Sequence, residues 1–233
     1  MLKRLVPRPI KQKIKNTLNQ RALHATLNQI ARLPPRELPP AHLLERLQTA
    51  WDNEGIAAQT AYLLEVARHV SQTSGPILEC GSGVTTLLIG LLAERRGVHS
   101  WTLEHFPEWH KRVTEALARQ NITSVNNCFA PLRDYGDFSW YDPPREGLPD
   151  KFSLIVCDGP PGSTKGGRYG VVPVLKEKLA PGTIILLDDA DRDAEADALR
   201  RWSELLELSI SLHEETRGKY AVITILGLRG INQ

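Results

Sequence analysis

The sequence of 233 residues has few cysteines, no long hydrophobic run and no acidic residue near its start. Its three cysteines, Cys80, Cys128 and Cys157, form no C-x-x-C pair, which excludes a disulfide framework and a zinc site built from neighbouring residues. No apolar run approaches the ~20 residues that a membrane-spanning helix needs. With 41% hydrophobic and 24% charged residues, the composition is that of an ordinary soluble protein, and we expect a cytoplasmic location.

Charge is distributed unevenly along the chain. The first 36 residues contain nine Lys or Arg and no Asp or Glu, whereas the remainder contains 20 basic and 27 acidic residues. Residues 10–33 place apolar side chains at helical intervals between the basic ones, which predicts a basic amphipathic helix. The Pro-rich segment 33–40 reads as a stiff connector. We therefore expect an arm and connector in residues 1–40 and one domain in residues 41–233.

The basic arm has two interpretations at this stage. It could lie against an anionic membrane surface, which would make the protein peripheral to the membrane. Alternatively, it is a solvated helix that packs on the domain or on a second subunit, which would give a homodimer. The charge pattern alone leaves both interpretations open.

From Gly75 onward, short apolar runs alternate with helical segments, as in a parallel sheet covered on both faces. This pattern predicts a doubly wound α/β fold with a mostly parallel seven-stranded sheet, a terminal antiparallel hairpin and a helical N-terminal extension. The predicted strands are 77–80, 100–103, 125–129, 154–157, 183–187, 206–213 and 220–226. The predicted helices after the arm are 41–53, 56–72, 85–94, 107–120 and 169–179.

A glycine-rich turn follows the first predicted strand. Gly81 and Gly83 let the backbone approach a ligand closely, and the helix that follows offers free N–H groups. A dinucleotide-binding G-x-G-x-x-G turn would need glycine where this chain has Thr86. Glu79 precedes the turn and favours a ligand that carries positive charge. Glu104 ends the next strand, where an acidic side chain can accept hydrogen bonds from both hydroxyls of a ribose.

With these residues in place, the sequence resembles the class I S-adenosylmethionine-dependent methyltransferases. The resemblance covers about residues 75–226, and it rests on five segments in the order of the family's motifs: ILECGSGVTT, LEH, CFAPL, IVCDGPPG and LAPGTIILLDD. It implies the Rossmann-like methyltransferase fold and S-adenosylmethionine as the cofactor. The residues that it implies for the cofactor site are Glu79, Gly81, Ser82, Gly83, Thr85, Glu104, His105, Ala130, Leu132 and Asp158.

Three aspartates follow two later strands of the predicted sheet. Asp158 ends the fourth strand and Asp188 and Asp189 end the fifth, so all three belong to the edge where open α/β sheets bind ligands. Gathered carboxylates favour a hard divalent cation. The arrangement resembles the catechol-type O-methyltransferases, which implies a magnesium site. The alternative has no metal: Asp158 contacts the cofactor amine or acts as a base, and Asp188 caps a turn.

The loop after the fourth strand carries Lys165, Arg168 and Tyr169. This loop is interpreted either as a lid over an anionic or hydroxylated substrate or as a solvated connection.

As candidate catalytic residues we take Asp158, His105 and Lys165. Residues 158–161, Asp-Gly-Pro-Pro, depart from the D-P-P-Y motif of amino-methylating enzymes because a glycine intrudes and no aromatic residue follows directly. Residues 142–144, Asp-Pro-Pro, lie before the fourth strand, so we expect no nucleic-acid partner.

The resulting hypothesis is a methyltransferase that acts on an oxygen of a small-molecule or glycan-like acceptor, with S-adenosylmethionine and possible help from Mg²⁺. Two alternatives belong to other classes. One is a nicotinamide-dependent Rossmann oxidoreductase, which Glu79 and Thr86 disfavour. The other is a non-catalytic nucleoside-binding protein recruited to a membrane or partner through the basic arm.

Overall fold

The computed structural model describes residues 8–34, 37–52 and 58–229. Its centre is a seven-stranded sheet with the strand order β3-β2-β1-β6-β7-β9-β8. A separate two-stranded hairpin joins β4 to β5. The strands are β1 (Ile77–Cys80), β2 (Ser100–Glu104), β3 (Val125–Phe129), β4 (Leu132–Asp134), β5 (Ser139–Tyr141), β6 (Leu154–Cys157), β7 (Ile184–Leu187), β8 (Leu206–Glu214) and β9 (Lys219–Leu228).

Helices cover both faces of the sheet. They are α1 (Arg8–Ala31), α2 (Ala41–Trp51), α3 (Thr60–Gln72), α4 (Val84–Glu94), α5 (Pro107–Arg119), α6 (Val171–Leu175) and α7 (Asp193–Leu205), with a 3-10 turn at Lys176–Lys178. Side chains alternate across each strand, so that Ile77 and Leu154 join the core beneath α1–α5, whereas Leu78 and Ile155 join the core beneath α6 and α7. This layering is the doubly wound arrangement that the sequence predicts.

The strand order places the carboxyl ends of β1 and β6 side by side. The two strands pair in parallel with Cys80 opposite Cys157, and the chain departs from β1 toward β2 on one side and from β6 toward β7 on the other. Ligands of open α/β sheets bind at such a switch point. The fold therefore puts the turn after Cys80 and the loop after Cys157 at the rim of one crevice.

The first helix has two apolar faces. Toward its C-terminal end, Leu23 and Leu27 are buried in the core beneath α1–α5. Toward its N-terminal end, Ile10, Ile14 and Leu18 are about half exposed, at 50%, 52% and 57%. Since each residue turns the helix by about 100°, these three side chains point away from the packed face. Among the described residues, no helix combines the length and apolar composition required to cross a bilayer.

The prediction of the sheet is confirmed. The five parallel strands agree with the structure to within one residue, and the terminal hairpin is present as β8 and β9. Two elements are missing from the prediction, namely the hairpin β4–β5 and helix α7. The helix predicted over 169–179 is shorter and begins at Val171, because the residues before it form turns that bury Arg168. Asn53, Ile56 and Ala57, at the ends of two predicted helices, lie outside the described residues.

Candidate functional site

A cavity of about 800 Å³ opens at the carboxyl ends of β1, β2, β6 and β7. We call it the cleft. Its lining comes from the turn after β1, from the residues that follow β2 and β6, and from the pair of aspartates after β7. The position agrees with the switch point that the strand order creates.

Glycines bring two strand ends into direct backbone contact on the floor of the cleft. Gly81 has φ 89, and a Cβ built on it would lie 2.9 Å from the nitrogen of Gly159. A Cβ on Gly159 would in turn lie 2.4 Å from the Tyr141 hydroxyl. A side chain at either position would clash with the neighbouring strand end, so the two glycines allow the backbone itself to form the floor.

Glu79 is completely buried beneath the glycine-rich turn. Its Oε2 accepts hydrogen bonds from the hydroxyls of Thr86 at 2.6 Å and Thr102 at 2.8 Å, and its Oε1 has no hydrogen-bond partner among the described residues. Burial raises the pKa of Glu79 to about 8, although both threonine hydroxyls oppose the shift. Glu79 is therefore mostly protonated at neutral pH and does not line the cleft.

Glu104, unlike Glu79, is kept in its ionised form by its hydrogen bonds. Its Oε2 accepts hydrogen bonds from the Ser82 amide at 3.1 Å and the Ser82 hydroxyl at 2.7 Å, and its Oε1 accepts one from the Phe106 amide at 2.8 Å. Burial alone would raise the pKa of Glu104, but its hydrogen bonds with His105, Phe106 and Ser82 lower it overall. Glu104 is thus an ionised carboxylate on the cleft wall.

The three aspartates after β6 and β7 converge, as the sequence predicts. One carboxylate oxygen from each of Asp158, Asp188 and Asp189 lies within 4.8 Å of the others. The guanidinium of Arg168 lies among them, 2.8 Å from Asp189 Oδ2 and 3.4 Å from Asp158 Oδ1. The cluster therefore already contains a buried cation.

The charges in this cluster shift one another's pKa. Burial, followed by the charge of Asp188, raises the pKa of Asp158. Burial and Asp189 likewise raise the pKa of Asp188, while Arg168 lowers both. Burial opposes the charge on Arg168, but the surrounding carboxylates raise its pKa above the ordinary value. The guanidinium consequently stays charged throughout the physiological range.

Aromatic side chains form the remaining wall. Trp109 donates from its indole nitrogen to the carbonyl of Ser82 at 2.5 Å and thereby braces the glycine-rich turn. Tyr141 is buried against His105, with ring centroids 5.9 Å apart, and its hydroxyl has no hydrogen-bond partner among the described residues. Apolar rings beside free polar groups are typical of a small-molecule site.

Some of the predicted site residues meet at the cleft and others do not. The residues that line it are Gly81, Ser82, Glu104, His105, Asp158, Asp188 and Asp189. The other predicted residues do not belong to its lining: Glu79, Gly83, Thr85, Ala130, Leu132 and Lys165. Thr85 and Ala130 are buried, and the Lys165 amine donates to the carbonyl of Gly136. At the C-terminal end of the loop neither interpretation, lid or solvated connection, describes Arg168 and Tyr169, which are buried.

Sequence reasoning missed three important residues of the cleft: Tyr141, Trp109 and the inward-pointing Arg168. Tyr141 is the last residue of β5, a short hairpin strand that the pattern does not reveal. Trp109 lies on the first turn of a helix with an otherwise polar outer face. For Arg168 a signal exists, because glycines at 166, 167 and 170 surround it and allow the backbone to turn tightly.

Comparison with known proteins supports the fold. No protein-family model and no curated protein matches the sequence. Solved structures do match, and one is the methyltransferase PaMTH1 of Podospora anserina bound to S-adenosylhomocysteine, with 17% identity and a TM-score of 0.57 over 81% of this chain and 88% of that one.

Two further similar structures are O-methyltransferases. TomG of Streptomyces achromogenes, which is involved in tomaymycin synthesis and was solved with S-adenosylmethionine, is 14% identical, with a TM-score of 0.53 over 82% of this chain and 92% of that one. An O-methyltransferase of Bacillus cereus, solved with S-adenosylhomocysteine, is 15% identical, with a TM-score of 0.51 over 87% and 90%. The chain therefore has the Rossmann-like fold of the class I S-adenosylmethionine-dependent methyltransferases.

Proposed function

We propose that the protein is an S-adenosylmethionine-dependent methyltransferase. The observation that carries the proposal is the pairing, in one cleft at the switch point, of a tight glycine turn with an ionised carboxylate at the end of β2. Gly81 gives backbone access, and Glu104 offers a fixed acceptor for the ribose hydroxyls. The similar structures that hold S-adenosylmethionine or its product support the same cofactor.

The cofactor roles follow the geometry of the wall. Ser82 donates its hydroxyl to Glu104 in this structure, so a ribose hydroxyl can replace it on the carboxylate while the Ser82 amide keeps its bond. His105 and Tyr141 lie next to Glu104 and offer polar atoms to the nucleoside. Glu79 lies one layer deeper, where its proton relieves the cost of burial. Contacts of Gly83, Thr85, Ala130 and Leu132 with the cofactor stay predictions.

The acceptor that we propose is a hydroxyl group of a small molecule, including a glycan-like one. Two of the similar structures are O-methyltransferases, and the cleft presents the partly exposed carboxylate of Asp158. In the proposed reaction, Asp158 takes the hydroxyl proton while the acceptor oxygen forms a bond to the methyl carbon and the carbon–sulfur bond breaks. His105 is the second candidate base. The cleft contributes chiefly by orienting the two reactants in line.

Mg²⁺ fits the aspartate cluster in ligand type, but it would compete with a cation that already contacts these carboxylates. Three carboxylate oxygens within 4.8 Å match the ligands that Mg²⁺ takes in proteins. However, the Arg168 guanidinium already binds two of those three side chains. When bound, Mg²⁺ would lower the pKa of an acceptor hydroxyl. Because the cation is already supplied, no step of the proposed reaction is assigned to a metal.

Calorimetric titration with S-adenosylhomocysteine tests the cofactor class directly. We expect saturable binding of one equivalent and no binding of NADH, which the oxidoreductase alternative would require. Asp158→Asn should keep this binding and lose turnover of an acceptor found by screening hydroxylated compounds. If Asp158→Asn retains both, Asp158 has no catalytic role. If the folded protein binds no S-adenosylhomocysteine, the methyltransferase proposal is wrong.

A second proposal concerns α1, which we infer to contact an anionic membrane surface. Ile10, Ile14 and Leu18 form an exposed apolar stripe that faces away from the core, and Lys11 and Lys13 flank it. Each Lys or Arg near an anionic surface adds about 1 kcal/mol of attraction. The stripe and the flanking charge together fit the interfacial region of a membrane.

Flotation with vesicles tests this second proposal. We expect binding to phosphatidylglycerol vesicles, loss of binding in Lys11→Gln/Lys13→Gln, and no loss in the charge-matched control Lys176→Gln/Lys178→Gln. The triple variant Ile10→Ser/Ile14→Ser/Leu18→Ser should also stay in solution. If sedimentation instead shows that the wild type is a dimer and the triple variant is a monomer, the stripe is a homodimer interface and the membrane proposal is wrong.

A further inference from the structure

Arg168 is an almost completely buried cation that joins the ends of two strands. It is 2% exposed, and its guanidinium donates to the carbonyls of Asp158, at 2.7 Å, and Asp188. It also donates to Asp189 Oδ2 at 2.8 Å, while Glu195 Oε1 lies 3.8 Å from its Nε. A planar guanidinium has five N–H donors, which suits it to several oxygens at once. Arg168 thus holds both strand termini as well as their carboxylates.

The surrounding glycines direct this side chain inward. Gly166 and Gly167 have φ values of 76 and 53, in the left-handed region that glycine adopts without strain. A Cβ on Gly167 would lie 2.9 Å from Cβ of Ala194 on α7, and one on Gly170 would lie 2.2 Å from Cγ of Trp140. The backbone on either side of Arg168 is therefore packed directly on its neighbours, which commits the side chain to the cluster.

The same place is where a divalent ion would have to bind. An ion that used Asp158, Asp188 and Asp189 would compete for oxygens to which Arg168 already donates. It would also lie next to a fixed positive charge in a partly buried site, where like charges repel more strongly than in water. Glu195, which is 0% exposed, also faces the guanidinium of Arg168.

We propose that Arg168 supplies the counter-charge of the aspartate cluster in place of a divalent metal ion, and that the wild-type protein binds neither Mg²⁺ nor Mn²⁺ at this site. Arg168 is then a positioning residue. It holds the carboxylates of Asp158 and Asp189 at the cleft, where they stay 30% and 25% exposed. This inference concerns ion binding, so it is independent of whether the protein transfers methyl groups.

Electron paramagnetic resonance titration with Mn²⁺ tests the proposal on the wild-type protein. After chelator treatment, we expect the signal of free Mn²⁺ to rise in proportion to the metal added, both without and with saturating S-adenosylhomocysteine. Asp188→Asn should give the same titration. Saturable binding of one Mn²⁺ by the wild type that Asp188→Asn abolishes would overturn the proposal. This measurement needs no variant of Arg168 and no known acceptor.

Variants of Arg168 give the complementary test by thermal unfolding. Arg168→Met should lower Tm by roughly 10 °C because it leaves buried carboxylates without a counter-charge. Arg168→Lys should lower Tm by less than Arg168→Met does. Arg200→Met, which removes an exposed arginine of α7, should leave Tm unchanged. Mn²⁺ should raise the Tm of Arg168→Met more than that of the wild type. Equal stabilisation of both proteins by Mn²⁺, or a wild-type Tm for Arg168→Met, would contradict the inference.

Discussion

Acidic side chains are buried in two different ways beneath and beside the cleft. Glu79 lies under the glycine-rich turn with only threonine hydroxyls as partners, and burial raises its pKa to about 8. Asp158, Asp188 and Asp189 surround Arg168, a permanent cation. A proton neutralises the first site, whereas a guanidinium offsets the charge of the second. The comparison teaches that the cation of the second site persists throughout the physiological range, whereas the proton of Glu79 is lost as the pH rises.

The largest effect should come from removing the permanent cation. Arg168→Met leaves four acids at or beside the cluster without a counter-charge, and breaking a buried ion pair in this way costs about 3–5 kcal/mol of unfolding free energy. Urea denaturation at pH 7 measures this loss. Arg168→Lys, which keeps the charge but not the planar fork of donors, should lie between wild type and Arg168→Met. Equal stability of the Met and Lys variants would show that packing, not charge, is what Arg168 contributes.

The next effect concerns the proton on Glu79. The folded protein has a pKa of about 8 at this group against an ordinary value of 4.5, so the folded state binds more protons between these pH values. Stability from this group is present below pH 4.5 and is lost as the pH rises toward 8, with a slope of up to about 1.4 kcal/mol per pH unit.

Glu79→Gln isolates that slope, because glutamine stays neutral and has nearly the same shape. We expect the unfolding free energy of the wild type, measured in urea from pH 5 to pH 8.5, to fall relative to that of Glu79→Gln. The pH dependence that arises from all other groups is common to both proteins and cancels in this comparison. If the two curves run parallel, Glu79 is ionised throughout, and its carboxylate becomes a candidate partner for the charge of the cofactor.

A third carboxylate, Glu104, sharpens the comparison because backbone amides keep it ionised. Glu104→Gln turns one acceptor into a donor that faces the amide of either Ser82 or Phe106. We expect about tenfold weaker binding of S-adenosylhomocysteine by calorimetry, corresponding to about 1.4 kcal/mol. Glu108→Gln, which changes an exposed acid in the first turn of α5, is the control. Unchanged affinity in Glu104→Gln would remove the proposed ribose contact.

The smallest effect is expected at Lys165. Its amine donates to the carbonyl of Gly136, and the residue is exposed outside the cleft lining. Lys165→Ala should therefore change the unfolding free energy by less than about 0.5 kcal/mol. The rate at which Lys165→Ala forms S-adenosylhomocysteine, measured with an acceptor found by screening, should stay close to that of the wild type. A large loss of rate would restore Lys165 as a catalytic residue.

The sequence predicted the sheet well because local and global signals agree there. The run at 154–157 is apolar throughout and the run at 77–80 is apolar except for Glu79, as expected of strands buried on both faces, and the structure has strands at both places. Helix α7 escaped prediction because its buried face offers few apolar side chains, among them Ala198 and Trp202, within a charged segment. Short strands such as β4 have too few residues to show a period of two.

The site residues that the sequence placed correctly are those at the ends of predicted strands. Glu104 ends one predicted strand and Asp158 follows another, so their order along the chain predicts that both lie at one edge of the sheet. The burial of Glu79 and the inward turn of Arg168 depend on contacts with residues distant in sequence, such as Thr102 and Asp189. Such contacts are set by packing, and no local pattern encodes them.

Trp109 gives the protein an optical reporter of its own. Its indole is bonded to the carbonyl of Ser82 in the turn that we assign to the cofactor, and its ring packs edge-on against Trp51 at 5.9 Å with Arg112 4.6 Å from the ring centre. Movement of that turn on ligand binding would alter the surroundings of the indole. Intrinsic fluorescence could therefore follow occupancy of the cleft in real time, without a label and before any acceptor is known.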